Sequence, residues 1–307
     1  MRLFGKRRFG VLAFVVLVLA WSSSFSVVKV GLDYAPPVLF AGGRTLLSGV
    51  IMSAVALLWG GSPNLRRDWK VFAFLAAFNV VLFIGAQTFA VLYLPSGTAA
   101  VLIYLQPILV GVFAWMALGE PLTAMKVAGL LLGFAGIVAV SSGGLLDAAG
   151  EVTAVGVVSG VASALAWALG TVGFKKHETR ISTLWAIALP FLVGGAALSA
   201  FGLLIEPVSG ISWTGPLVWS VLYSAFVGTG LAWMLFFGLV RAGEASRVAS
   251  FIFVVPLAAV VIGALVLNEA LGLPLLAGAA LIVTGIYLVN RTPRGAKEPP
   301  GRDGPFV

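Results

Sequence analysis

Polar and apolar residues do not alternate along this chain; the apolar ones come in ten long blocks. The blocks lie near 10–30, 37–59, 70–92, 97–117, 123–142, 152–174, 183–203, 215–238, 247–267 and 272–290. Each approaches the roughly 20 residues that a helix needs to cross about 30 Å of hydrocarbon. Inside a bilayer the backbone can bond only to itself, so each block predicts a helix, and the lack of a period of two excludes a barrel. A basic head (Arg2, Lys6, Arg7, Arg8) precedes the first block, as in a signal peptide. That block is long enough to span, and no convincing small-x-small cleavage site follows it. The predicted fold is an all-α membrane protein with ten transmembrane helices and short loops. Residues 292–307 are rich in Pro, Gly and charge and are expected to form a disordered cytoplasmic tail.

The blocks also repeat. Ser96 to Ser142 lies without a gap on Ala245 to Arg291, 149 positions on, with 13 of 47 pairs identical. Roughly four or five would be expected by chance in so apolar a chain. Pro107 falls on Pro256, Glu120 on Glu269, Gly129 on Gly278 and Gly136 on Gly285. A weaker echo at a spacing of 146 sets Ala20-Trp21 and Lys29 against Ala166-Trp167 and Lys175. Two five-helix repeats are therefore predicted, 1–142 and 143–291. Five is odd, so the second enters the membrane in the opposite sense. A 5+5 inverted repeat suits alternating access, because exchanging the conformations of the halves turns an inward-facing state outward.

Composition and charge fix the surroundings. The chain is 60% hydrophobic and 10% charged, with a mean hydropathy of +1.09, more apolar surface than a soluble protein of 307 residues could hide. The net charge of +8 reads as topology rather than as affinity for nucleic acid. Of 19 Lys and Arg, sixteen lie in the head, the tail and the segments 60–69, 118–126, 175–182 and 239–247, and Lys70 stands at their edge; only Lys29 and Arg44 lie elsewhere. The alternate loops carry Asp33, Asp147, Glu151, Glu206 and Glu269 instead. Both termini are thus expected in the cytoplasm. The absence of cysteine excludes disulfides and thiolate metal sites.

Polar groups inside apolar spans are costly, which makes them the candidates for function. Asn79, Phe83 and Gln87 recur every four residues on the third span, where two amides could line a wet cavity or bond to a neighbouring helix. Tyr104 and Gln106 lie at about the depth of Gln87 but point in different directions, so one of them is expected to face the cavity. Trp21 and Trp167 are equivalent in the repeat and lie deep, where an indole can stack on a ligand or simply fill space. Ser22, Ser23 and Ser24 either join Trp21 or back-bond to their own helix; Ser22 is placed with the path. Tyr223, Ser224, Thr229 and Trp233 give the eighth span a similar character, with Trp233 set nearer the inner interface. Pro107 and Pro256 interrupt their helices, either as hinges or as tolerated bends. Gly129, Gly133, Gly136, Gly278 and Gly285 read as close helix packing. Lys29 can snorkel to the outer interface. Arg44 is read as structural, meeting carbonyls or Asp33, with a substrate carboxylate as the alternative. No Asp or Glu occupies the middle of a span, so any proton coupling would use an interfacial acid such as Glu120 or Glu269.

Several of these residues occur in a familiar order. Leu102-Ile103-Tyr104-Leu105-Gln106-Pro107, then Leu118-Gly119-Glu120-Pro121-Leu122-Thr123, then Gly129, Gly133 and Gly136 resemble the EamA branch of the drug/metabolite transporter superfamily. Trp21-Ser22-Ser23-Ser24-Phe25 with Lys29, and Arg44 in the second span, resemble it too. The similarity runs from about residue 10 to 290, and within the superfamily the chain is most like the YddG-type exporters of aromatic amino acids. The resemblance implies ten helices around a central cavity lined by spans 1, 3, 4, 6, 8 and 9. It further implies export of amino acids, aromatic and other neutral, or related metabolites across a bacterial inner membrane. The second half departs from the pattern, with Asn268-Glu269-Ala270 where the first has Gly119-Glu120-Pro121.

The expected activity is transport by a single chain in the bilayer, with a small-molecule substrate, no cofactor and no metal. A channel-like facilitator is the nearer rival and would want a ring of like polar groups. An intramembrane enzyme would need a nucleophile with a base, or metal ligands, at one depth. The only histidine, His177, instead sits on the inner surface between Lys176 and Glu178, and no Gly-rich phosphate loop marks a nucleotide site.

Overall fold

Helices stand where the ten blocks lie. The computed structural model describes residues 7–94, 96–147, 153–267 and 273–291; the expected tail, Glu151 and Glu269 lie outside the described residues. The spanning helices are α1 (Gly10–Leu32), α2 (Pro37–Trp59), α3 (Leu65–Tyr93), α4 (Thr98–Leu118) and α5 (Ala124–Ser141), then α6 (Ala154–His177), α7 (Trp185–Ile205), α8 (Gly215–Ala242), α9 (Ala245–Ile262) and α10 (Leu273–Asn290). No strand occurs among the described residues.

Four of these helices are irregular, and they form two pairs related by the repeat. α4 breaks at Tyr104–Leu105 and α9 at Ile252–Phe253. Pro107 and Pro256 lie just beyond these breaks, where each removes the N–H that would bond one turn back. Tight turns take over: Ile108 N–H donates to Leu105 O at 3.1 Å, and Val255 N–H to Ile252 O at 2.9 Å. α3 and α8 instead carry π-helical segments, Ala76–Leu82 and Ser224–Leu231. The sequence reading did not anticipate them.

Small residues decide which helices touch. α2 packs along α7 and α5 along α10 in the most extensive contacts of the bundle. A Cβ added at Gly49 would sit 2.3 Å from Leu192 N, and one at Gly195 2.4 Å from Leu46 N. In the other pair a Cβ at Gly129 would sit 2.6 Å from Gly285 O, and one at Gly136 2.7 Å from Gly278 O. Only glycine lets these backbones approach so closely, as the sequence reading expected for α5 and α10. α1 packs on α8 and α9, α6 on α3 and α4, and α4 on α9. This pattern is unchanged when each helix is exchanged for the one five places away.

The basic segments gather at one end of the bundle. Asp68 is buried between Arg67 (3.0 Å) and Arg180 (2.5 Å). Arg241 donates to Thr183 Oγ1 at 3.0 Å and to Ile181 O at 3.2 Å. Lys126 pairs with Glu244 at 2.9 Å. At the other end Glu206 caps α2, accepting from Val38 N–H (2.9 Å) and Leu39 N–H (2.8 Å). A carboxylate suits the positive end of a helix.

Candidate functional site

The middle of the bundle is filled with aromatic rings. Trp21 of α1, Trp167 of α6 and Trp233 of α8 form a triangle with centroid separations of 5.6, 6.2 and 6.3 Å. Phe83 of α3 stacks on Trp167 at 4.8 Å, and Tyr104 of α4 meets the same indole edge-on at 6.5 Å. Phe236 of α8 and Phe191 of α7 close the cluster, 5.5 Å from Trp21 and 5.3 Å from Trp233. Edge-to-face and offset contacts at these separations are favourable beyond the area they bury. Five residues proposed from the sequence thus come together. Trp233, expected nearer the interface, is buried among the rings. Phe236 was missed, although it lies three residues after Trp233 and therefore on the same helix face.

Rings thus occupy the position where the central cavity was expected. A void of about 10 Å³ lies beside the cluster, lined by Phe14, Leu17 and Val18 of α1 with residues of α8 and α9, room for about one water. A substrate at the centre would have to displace rings.

Polar atoms surround the rings, and several have no partner. Trp21 donates its indole N–H to Gly228 O in the π segment of α8 at 3.1 Å. Ser163 of α6 reaches Phe83 O, just past the π segment of α3, at 3.3 Å. Trp167 Nε1 and both amide atoms of Asn79 are buried without any hydrogen bond. Asn79 presses on α6 at Gly170, where a Cβ would fall 2.0 Å from Asn79 Oδ1. Gly170 is three residues beyond Trp167, so the unpartnered indole and amide share one seam. Gln106 is buried, with both its amide atoms also unpartnered.

The remaining candidates lie outside the ring cluster. Ser22 donates across to Val255 O of α9 at 3.0 Å, while Ser23 and Ser24 bond back to Leu19 O and Ala20 O. Tyr223 OH pairs with Ser23 Oγ at 2.7 Å. Ser224 is buried with its hydroxyl free. Gln87 is half-buried, one turn beyond Phe83.

A second arrangement, at the basic end, was not foreseen. Glu120, just past the end of α4, is buried and accepts from the first residues of α9. Ala245 N–H donates at 2.6 Å, Ser246 N–H at 3.1 Å, and Ser246 Oγ–H as well. Lys126 Nζ donates to Ser246 Oγ at 2.9 Å and to Glu244 at 2.9 Å. Gly119, in the left-handed region at φ 69°, ends α4 and sets Glu120 beneath α9. The repeat singled out Glu120 but not its partner, since Ser246 corresponds to Gly97 and carries no signal of its own. Among the described residues no His, Asp and Glu are grouped to hold a metal.

The EamA-like transporter family matches the chain twice, at residues 8–142 and 154–291. The chain is 42% identical over 287 residues to the uncharacterized transporter YvbV of Bacillus subtilis, covering 94% of this chain and 92% of that protein. It is 29% identical to a probable amino-acid metabolite efflux pump of Escherichia coli, covering 92% and 94%. A solved crystal structure shares the fold with a TM-score of 0.77 at 23% identity, covering 91% of this chain and 95% of the other. The two matches take in nearly the whole length, and the chain belongs to the EamA-like transporter family of multi-pass membrane transporters.

Proposed function

We propose that the protein exports amino acids, aromatic and other neutral, or related metabolites from the cytoplasm by alternating access. The observation that carries this reading is the convergence of Trp21 with Trp167 and Trp233, one ring from the first half and two from the second. Around them stand the four interrupted helices α3, α4, α8 and α9. Interrupted helices near the midplane of a bundle are where a carrier holds its cargo and bends, and π segments often mark functional sites. Flat apolar faces with an indole N–H and an amide to spare suit a molecule that is part ring or alkyl and part polar. Trp21, Asn79, Phe83, Tyr104, Trp167 and Trp233 are its contacts, and Pro107 and Pro256 its hinges.

The exchange symmetry of the helix contacts and the double family match support two inverted repeats, 1–142 and 143–291. The gathering of Lys and Arg at one end supports a cytoplasmic amino terminus in a bacterial inner membrane. In the present state Glu120 clasps α9 at that end. Opening toward the cytoplasm releases the clasp while α4 and α9 bend at their prolines.

Uptake of a labelled amino-acid panel into proteoliposomes, with and without a pH gradient, tests the proposal. A carrier is accelerated by unlabelled substrate on the far side. Flux without that acceleration indicates a channel-like facilitator, and no flux of any amino acid removes the substrate assignment.

A further inference from the structure

Arg44 sits within a helix with no counter-charge among the described residues. Arg44 is the eighth residue of α2, about 10 Å below its start at 1.5 Å per residue. No carboxylate among the described residues pairs with it. Asp33, one of the partners expected for it, is exposed in the turn after α1. The guanidinium turns into the bundle: its carbon lies 6.0 Å from the Phe40 ring, and Nη1 reaches Thr229 Oγ1 of α8 at 3.4 Å. Its Nε is buried with no acceptor.

The groups beside it are also unsatisfied. Ser48, one turn along the same face of α2, is fully buried with a free hydroxyl, 3.3 Å from where a Cβ on Gly230 would stand. Arg44 and Ser48 thus face neighbouring residues, 229 and 230, of the π segment of α8. That segment also receives the Trp21 indole through Gly228 O, and Trp233 follows Thr229 by one turn. The polar seam and the rings therefore share an element.

A guanidinium that merely snorkels would reach for the headgroups, with its N–H groups in water or on phosphate. This one is held against a hydroxyl inside the bundle with one donor sealed off, an arrangement that calls for an anion. Nε and an Nη offer parallel N–H groups, which match the two oxygens of a carboxylate. We propose that Arg44, Ser48 and Thr229 form a carboxylate subsite. On the reading of this protein as an amino-acid carrier, they hold the substrate's α-carboxylate while its side chain lies among Trp21, Trp167 and Trp233. The subsite selects free amino acids over the corresponding amines.

The test uses the full-length protein in nanodiscs and two readouts. In the first, melting is followed in sodium acetate and in sodium chloride at equal ionic strength. Acetate should raise the melting temperature of the wild type above its value in chloride; Arg44→Gln should abolish the difference and Thr229→Val should reduce it. In the second, phenylalanine and phenethylamine compete for transport. Thr229→Val should weaken phenylalanine about 10-fold, as expected for losing a hydrogen bond to a charged group, and leave phenethylamine unchanged. If Arg44→Gln does not fold, Arg44→Lys keeps the charge but not the fork and should lose the acetate effect. No acetate effect in the wild type, an equal effect of chloride, or an effect that survives both Arg44→Lys and Thr229→Val overturns the subsite. An acetate effect that depends on Arg44, in a protein that moves no amino acid, retains the subsite and refutes the transport reading instead.

Discussion

On the proposed alternating-access reading, Glu120 is a clasp whose strength sets how often the basic end opens. Its carboxylate takes three hydrogen bonds from Ala245 and Ser246, the first residues of α9, whose N–H groups have no partner within the helix. Glutamine offers a single acceptor oxygen and no charge, so Glu120→Gln leaves at least one of these donors unpaired. A hydrogen bond to a charged group contributes about 1.5–3 kcal/mol. That contribution belongs to the closed state, because opening exposes the same groups to water. A loss of about 2 kcal/mol, at 1.4 kcal/mol per factor of ten, raises the open fraction about 30-fold. The chain contains no cysteine, so Val248→Cys supplies a single thiol at a buried position on α9, lining the small void. When closing is fast, labelling by a membrane-impermeant maleimide follows the open fraction. The labelling rate should rise by about the same 30-fold factor in Glu120→Gln. An unchanged rate, in a variant that melts like its parent, would refute the clasp.

Other positions make distinct demands. Asn79 has no hydrogen bond to lose, and an apolar replacement relieves a desolvation cost of about 1–3 kcal/mol. Asn79→Leu should therefore melt no lower than wild type while transport falls; a lower melting temperature would make the amide structural. Gly170→Ala drives a methyl into Asn79 Oδ1 and should cost about 1–3 kcal/mol by overpacking, a loss that pairing with Asn79→Ala recovers. Gly285→Ala meets the backbone of α5, 2.5 Å from Gly129 O and 2.6 Å from Gly133 N. It should lower the melting temperature further than Gly170→Ala and have no rescuing partner. Pro256→Ala restores a backbone donor beneath the break in α9 and should slow transport while leaving substrate affinity unchanged, as counterflow rates against equilibrium binding would reveal.

Much of the frame was legible because lipid leaves few choices. The ten blocks are ten helices, and the glycines of α5 and α10 pack closely, as read from the sequence, since a missing Cβ is a local property that sequence records directly. The placement of Lys and Arg likewise forecast segments that gather at one end. The π segments were invisible: a π turn is one extra residue inside an apolar run, and nothing in Ala76–Leu82 or Ser224–Leu231 distinguishes it from an α-helix. The ring cluster was half legible. Trp21 and Trp167 stood out by depth and by repeat, whereas Phe191 and Phe236 are two of 21 phenylalanines and depend on which helices face each other. Arg44 was expected to meet carbonyls or Asp33, with a substrate carboxylate as the alternative. The direction of the side chain, set by the close packing of α2 and α8, decided against Asp33.

Tyr104 lies on α4 and Glu120 just past its end, and on the proposed carrier reading α9 with α1 offers a second connection between the site and the clasp. The clasp holds the first turn of α9, the break follows at Ile252–Phe253, and just beyond it Val255 O accepts from Ser22 of α1. Ser22 is the next residue after Trp21, whose ring belongs to the cluster. On the proposed reading, a substrate that displaces the Trp21 ring would shift the backbone that carries Ser22, and with it the far side of the α9 break. Ser22→Ala removes one hydrogen bond of about 0.5–1.5 kcal/mol, too little to unfold the bundle but enough to loosen this connection. In the Val248→Cys background, amino-acid substrate should alter maleimide labelling in the parent protein. In Ser22→Ala the substrate should still bind with similar affinity but change the labelling several-fold less. If the ratio of rates with and without substrate is the same in both, Ser22 only packs α1 on α9, and the ring cluster must reach the clasp by another helix.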